Sequence, residues 1–297
     1  MKSKIDVIEK QTKPFVHLDN DVFIKKKINF DFELIIVNDN SPDTTDTIIS
    51  EILKNVSKAS RIRYIKHDEN IGMMANFIFA LQQAKGKYIG LCEGDDYWID
   101  PYKLQKQVDF LEANPDYVLC FHKVKILKPN GELVEDFITK VPENYEAQET
   151  LARLGNYIHT PSVVFRNIIK EFPPEFSLSP VGDYFLYMML SEHGKLKYLE
   201  EEMAVYRYGV GIHSSKTNLR MAKTVLNFYT LLISYSKNPK IIRILLERNQ
   251  KNIENFELLI RKEYQESFVS NHIFFKALKS FNEPNKFWKK LKRKFKI

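Results

Sequence analysis

Two rhythms of apolar positions alternate along the first third of the chain. Phe32–Val37 (FELIIV) is a continuous apolar run of strand length, the pattern of a strand buried on both faces of a parallel sheet. It ends in the polar stretch Asn38-Asp39-Asn40-Ser41-Pro42-Asp43, and helical spacing follows at Ile48, Ile49, Ile52, Leu53 and Val56. Ile62–Lys66 predicts a second strand. A helix follows with Met74, Ile78 and Leu81 on one face, closed by Gly86 as a C-cap. Tyr88–Cys92 predicts a third strand and, beyond an acidic loop, Asp100-Pro101 start a helix with Leu104, Val108 and Leu111 on its buried face. Upstream, Ile5–Ile8 is a weaker apolar stretch, and the segment after it has poor helical periodicity. This alternation implies a mostly parallel sheet with helices on both faces. After Asn114-Pro115 the rhythm changes: Tyr117–Leu127 and Leu133–Ile138, joined by Pro129-Asn130-Gly131-Glu132, read as a hairpin. Residues 216–297 are helical in pattern, with Val225, Leu226, Tyr229, Leu232 and Ile233 in one helix and Ile241, Ile242, Leu245 and Leu246 in another.

Composition narrows the class. The 297 residues are 44% hydrophobic and 28% charged, an ordinary globular balance that supports one large domain or two small ones. Cys92 and Cys120 lie in strand-like runs and are expected as reduced core residues, with no disulfide framework. No apolar run approaches the roughly 18 residues of a membrane span, and the N-terminus has no apolar signal region, so the expected compartment is the cytoplasm. The net charge of +7 is concentrated in residues 271–297, where nine Lys or Arg meet one acid, Glu283. Basicity is therefore a property of the tail, and no nucleic-acid partner is expected. From Pro284 the tail reads PNKFWKKLKRKFKI; on a helix Phe287, Trp288, Leu291 and Phe295 share a face ringed by cations. That pattern suits peripheral contact of 284–297 with an anionic membrane, here the inner face of the plasma membrane. A solubilising tail, or a helix packed on its own domain, are the alternatives.

Chemistry concentrates where the third strand ends. Glu93, Asp95 and Asp96 place three carboxylates in four residues, just before a helix. In open α/β sheets that edge binds ligands, and paired carboxylates suit a hard divalent cation that also takes substrate diphosphate oxygens; a solvated acidic turn is the alternative. Asn70-x-Gly72 reads either as a loop allowing close backbone approach to a ligand or as a plain turn. His159, Thr160 and Ser162 are polar groups in the otherwise apolar run Asn156–Arg166, and either line a site or satisfy local backbone. Asp183 stands at the start of a helix rich in aromatics and Met, where a carboxylate is favoured by the helix dipole and can also serve as a cap. Ser41 or Asp43 can cap the helix after the first polar loop.

The stretch EGDDYW, followed after Ile99 by DPYKLQKQVDFLE, closely resembles the metal-binding signature of family-two glycosyltransferases, which have the GT-A fold. The resemblance runs from about Asn29 to Ser215. It implies a Rossmann-like GT-A domain over 1–215 and a helical extension over 216–297. It implies that Asp96 holds Mg²⁺ or Mn²⁺ on the diphosphate of a sugar nucleotide, with Asp95 on the ribose or a bound water. Asn38-Asp39-Asn40-Ser41 resembles the family's Asp-Asp-x-Ser motif, with Asn38 in place of the first acid and Asp39 matching the second. An aspartate there accepts from a uracil or thymine N3–H, which points to a UDP- or dTDP-linked donor. Asn70 and Gly72 match the loop beside the sugar nucleotide, and Asn156–Arg166 the acceptor side, with His159 and Thr160 as candidates. Asp183 matches the general base, which deprotonates the acceptor hydroxyl for in-line displacement of the diphosphate with inversion. The match continues through HGKLKYLEEEMAVYRY. Relatives carry His directly after Tyr-Arg-x; here that position is Gly209, and His213 is the candidate metal ligand. Arg207 either neutralises phosphate or pairs within Glu200–Glu202.

The implied function is sugar transfer to a hydroxyl of a glycan or lipid-linked acceptor, a cell-surface glycan precursor. The chain departs from the family before residue 29, where the Pro-x-Tyr-Asn turn is missing and Pro14-Phe15 is at most a remnant. That departure supports a rival, a degenerate glycosyltransferase that binds nucleotide or a partner without turnover. A nucleotidyltransferase would carry a Gly-rich, basic phosphate loop after its first strand, and the sequence has none.

Overall fold

A computed structural model describes residues 5–11, 28–55, 59–209 and 218–268. In chain order the elements are β1 (Ile5–Gln11), β2 (Phe32–Asn38), α1 (Thr45–Asn55), β3 (Ile62–Lys66), α2 (Met73–Gln83), β4 (Tyr88–Glu93), β5 (Tyr97–Trp98) and α3 (Lys103–Ala113). They continue with β6 (Tyr117–Leu127), β7 (Leu133–Glu135), α4 (Gln148–Leu154), β8 (Val164–Arg166), α5 (Pro174–Ser177), α6 (Gly182–Leu190), β9 (Lys195–Arg207), α7 (Asn218–Tyr235) and α8 (Pro239–Phe268).

Among the described residues nine strands form one sheet in the order β3-β2-β1-β4-β8-β6-β9-β5, with β7 on β6. The weak stretch at Ile5 lies at the centre of the parallel half: Ile5 pairs with Phe32 on one side and Tyr88 on the other. β8 is antiparallel to both β4 and β6, and β9 is parallel to β6. The C-terminal ends of β2, β3, β4, β6 and β9 therefore face one edge, where the polar loops gather.

Alternation explains the continuous apolar runs. In β2, Ile35 and Val37 join the core on one face, while Leu34 and Ile36 join the core on the other. β4 divides the same way, Ile89 and Leu91 against Tyr88 and Cys92. The bulky side chains of α6 are core, as expected, and Tyr184 stacks on Phe228 of α7 at 4.8 Å between centroids. Leu232, Ile241 and Leu245 of the C-terminal helices belong to that same core. Both cysteines are free and buried. No helix among the described residues is long and apolar enough to cross a membrane.

Element ends depart from expectation for local reasons. α2 stops at Ala84, whose extended backbone (φ −72°, ψ 123°) ends the helix before Gly86. α3 begins at Lys103 rather than Pro101, because Asp100 closes the preceding turn by accepting the Tyr102 N–H at 2.7 Å. The hairpin is present, but its second strand ends at Glu135. The Asp136 carboxylate accepts the N–H groups of Ile138 (2.8 Å) and Thr139 (3.1 Å), turning the chain out of the sheet. Within Asn156–Arg166 only Val164–Arg166 is strand, and Thr160–Ser162 is a single 3₁₀ turn.

Candidate functional site

The first polar loop and the Asn70–Gly72 loop form one structure. Asp39, buried at the end of β2, accepts the Ile71 N–H at Oδ1 (2.7 Å) and the Gly72 N–H at Oδ2 (3.0 Å). Asn70 returns the contact, donating from Nδ2 to the Asp39 carbonyl at 2.9 Å. Gly72 adopts φ +90°, a conformation that side chains rarely take, and its carbonyl accepts the Asn76 N–H, starting α2. Asn38 is fully buried: its Oδ1 accepts the Ser41 N–H and its Nδ2 donates to Tyr64 Oη, both at 2.8 Å. Asp43, not Ser41, serves the start of α1, accepting the Thr45 N–H at 2.9 Å.

At the end of β4, ligand atoms of Glu93, Asp95 and Asp96 lie within 4.8 Å of one another. Asp96 is buried. Its Oδ1 accepts the backbone N–H of Arg207 at 2.9 Å, while its Oδ2 has no hydrogen-bond partner among the described residues. Burial, then the charges of Asp95 and Glu93, push its carboxyl well above the usual range against the opposing Arg207 N–H. A buried carboxylate oxygen without a partner, facing two more carboxylates, is a costly arrangement alone. It matches the all-oxygen donor set of Mg²⁺ or Mn²⁺, so the residues present fit such an ion. Glu93 sits in the motif but was not singled out from sequence as a ligand. The Arg207 guanidinium lies 5.8 Å from the Tyr97 ring centroid. Of Glu200–Glu202, the alternative partners read for Arg207, Glu201 lies 3.8 Å from Lys106, and Glu202 pairs with Lys123 and Lys125.

Asp183 is the second residue of α6. Val181 is the N-cap and no side chain caps the helix, so the capping reading does not hold. Asp183 Oδ2 accepts from Asn156 Nδ2 at 3.0 Å and from Thr160 Oγ1 at 3.4 Å. Thr160 is thus beside Asp183. His159 instead hydrogen-bonds Asp136 Oδ2 at 2.9 Å and lies against Tyr206, ring centroids 4.8 Å apart. Burial alone would raise the Asp136 carboxyl; hydrogen bonds from His159 and Thr139 outweigh it and hold the group below the usual range.

Two tyrosines relate the base candidate to the acidic loop. Burial, then Asp96, Glu93, Asp95 and Asp183, push the Tyr206 phenol above its ordinary pKa. Burial, then Asp183 and Glu93, do the same for the buried Tyr187, against the opposing contact with the Thr160 hydroxyl. Both phenols thus lie within electrostatic reach of Asp183 and of Glu93. Tyr206 and Asn156 lie inside motifs already quoted, whereas nothing in the sequence marks Asp136 or Tyr187. Gly182 sets the position of Asp183: a Cβ there would meet Met74 Sδ at 2.8 Å and Phe77 at 2.9 Å, so α6 starts directly against α2. His213 and the tail 284–297 lie outside the described residues.

A mixed sheet that gathers acidic loops at one edge, with a carboxylate at a facing helix start, defines a GT-A architecture. The model of glycosyl transferase family 2 matches residues 23–172, half of the chain, and the chain belongs to that family. Asp39, Asn70, Gly72, Asp95, Asp96, His159 and Thr160 fall within the match; Asp183 and His213 lie beyond it. An uncharacterised protein of Mycobacterium bovis is 37% identical over 203 residues, 67% of this chain and 57% of that protein, so the chain spans little more than half of that relative. The fold is similar to that of residues 1–349 of TarS from S. aureus, solved with UDP (14% identity, TM-score 0.56, covering 91% of this chain and 75% of that one). It is also similar to a mannosyltransferase of Pyrobaculum calidifontis solved with GDP-Man and Mn²⁺ (13% identity, TM-score 0.60, covering 97% and 83%).

Proposed function

We propose that this protein transfers a sugar from a nucleoside-diphosphate sugar to a hydroxyl of a glycan or lipid-linked acceptor, with a divalent cation and with inversion. The observation that carries the reading is Asp96, buried with one oxygen unpartnered beside Glu93 and Asp95. These three residues would hold Mg²⁺ or Mn²⁺, which when bound neutralises charge on the diphosphate leaving group. Asp39 holds the Asn70–Gly72 loop in place, and the two flank a uridine or thymidine base. Asp183, steadied by Asn156 and Thr160, takes the proton of the acceptor hydroxyl, a contribution of about 10²–10⁴ in rate. His159, fixed by Asp136, and Thr160 face the acceptor. His213 is a further candidate ligand. Residues 1–215 act as the catalytic unit and 216–297 as a helical extension whose basic tail rests on an anionic membrane near a lipid-linked acceptor.

The decisive variant is Asp96→Asn, which retains an acceptor for the Arg207 N–H and removes the charge. Calorimetry with UDP and Mn²⁺ should show at least about a tenfold loss of Mn²⁺-dependent affinity, while the metal-free protein melts higher because repulsion among three acids is relieved. Unchanged Mn²⁺-dependent affinity defeats the metal assignment. Nucleotide binding by the parent protein without turnover on any of a donor panel favours the degenerate alternative, which the missing Pro-x-Tyr-Asn turn supports.

A further inference from the structure

The buried face of α3 carries two polar side chains that no step above uses. Lys103 and Gln107 are 1% and 0% exposed. The Lys103 ammonium donates to Gln107 Oε1 at 2.8 Å and lies 4.2 Å from the Trp98 ring centroid. No carboxylate among the described residues is within ion-pair distance of it. Both Gln107 N–H groups are committed to carbonyl acceptors, so Oε1 is the atom that meets Lys103 and the orientation of the amide is fixed. Those N–H groups reach the carbonyls of Cys120 and Ser162, each at 2.8 Å. Trp98 Nε1 donates to the adjacent carbonyl, Pro161, also at 2.8 Å.

Two consecutive carbonyls of one turn are thus gripped from the side of the acidic loop. Trp98 is two residues beyond Asp96, on β5. The gripped turn is Thr160–Ser162, which Ser162 Oγ closes on the His159 carbonyl at 2.6 Å, and its Thr160 hydroxyl rests on Asp183. Filling space would require only apolar side chains at these positions. A buried ammonium ordering an amide that ends on backbone carbonyls instead fixes a distance and an orientation.

We propose that Trp98, Lys103 and Gln107 are positioning residues that hold the Thr160–Ser162 turn, and through Thr160 the Asp183 carboxylate, in register with the acidic loop. The inference rests on the transfer reading, in which Asp183 is the base.

The test uses the full chain and three variants. Gln107→Met keeps length and loses both donors. Gln107→Glu keeps the Lys103 contact but turns a carboxylate toward two carbonyls. Lys103→Met keeps the stem on Trp98 and unpins the amide. Hydrogen–deuterium exchange reads the turn directly, because the Ser162 and Val163 amides bond within it. A peptide covering 156–166 should exchange at least about tenfold faster in both Gln107 variants, and less so in Lys103→Met, with peptide 88–98 unchanged. UDP affinity with Mn²⁺ should stay within about twofold, while kcat for transfer falls about 10–100-fold at unchanged donor KM. Lys103→Met added to Gln107→Met should do no further harm, since both act through one amide. Unchanged exchange at 156–166, or a uniform rise over all peptides that tracks thermal destabilisation, overturns the proposal. A parent protein that neither binds UDP nor transfers sugar defeats the functional reading, and the exchange comparison still decides whether the turn is held this way.

Discussion

Replacing Lys103 by Met should change how stability depends on pH, and the structure gives the size and sign. Burial lowers the Lys103 pKa from 10.5 to about 7, against the weaker raising influence of Cys92, Cys120 and Asp100. In the unfolded chain the amine stays protonated to its ordinary value. Between those two values the unfolded state binds more protons, so stability from this group rises with pH. Below about pH 7 both states are protonated and the burial penalty is complete; it is relieved as pH climbs toward 10.5. Each pH unit in that window is worth about 1.4 kcal/mol. Between pH 7.5 and 9.5 the parent should therefore gain up to about 2.7 kcal/mol relative to Lys103→Met. The assay is urea unfolding of both proteins at half-unit intervals, taken as the difference between them. The difference cancels groups that do not sense Lys103; Cys120 does sense it, but burial pushes that thiol up to about 12, above the window used. A difference that stays constant with pH to within about 0.5 kcal/mol refutes the reasoning, because Lys103 would then hold its proton equally in both states.

Asp183→Asn keeps the contacts from Asn156 and Thr160 in shape but cannot accept a proton, so turnover should fall by at least about 10² with UDP–Mn²⁺ binding near normal. Stopped-assay kinetics with calorimetry check this; full specific activity in the variant removes Asp183 as base. Deleting residues 284–297 should abolish sedimentation with anionic vesicles at low salt while neutral vesicles bind neither protein, since each Lys or Arg near such a surface contributes about 1 kcal/mol. Equal anionic binding by both proteins rules the anchor out.

The parallel half of the sheet was legible because β2 and β4 are buried on both faces, and such strands write themselves as unbroken apolar runs. β1 was harder to read: its position comes from pairing with β2 and β4, a long-range property that one segment's hydrophobicity does not report. The short β5 and β8 had no local signature either, since two or three residues cannot establish a period. Helix ends were misplaced where a side chain took over a backbone partner, as Asp100 does before α3. In the site, residue types at the sheet edge were readable one loop at a time. What the sequence concealed was the joining of loops: Asp39 to Gly72 across 33 positions, and Gln107 to Ser162 across 55. Asp136 and Tyr187 stayed hidden because their significance is purely spatial.

Those long-range bonds divide the site in a way that bears on how any variant should be read. In the proposed reading the donor side rests on Asp39, which ties the β2 loop to the start of α2. In the same reading the acceptor side rests on the Thr160–Ser162 turn, which Gln107 of α3 and Trp98 of β5 contact. Asp183 touches both supports: its helix begins against Met74 and Phe77 of α2 through Gly182, and its carboxylate meets Thr160. The acidic loop lies between them, with Asp96 bonded to the backbone of Arg207 and Trp98 reaching Pro161. Damage to the Asp39 support should therefore appear in nucleotide affinity, and damage to the turn in turnover. A change at the α2–α6 contact should move both together, because a Cβ on Gly182 would press on Met74 and Phe77 of α2 and displace the helix that carries Asp183.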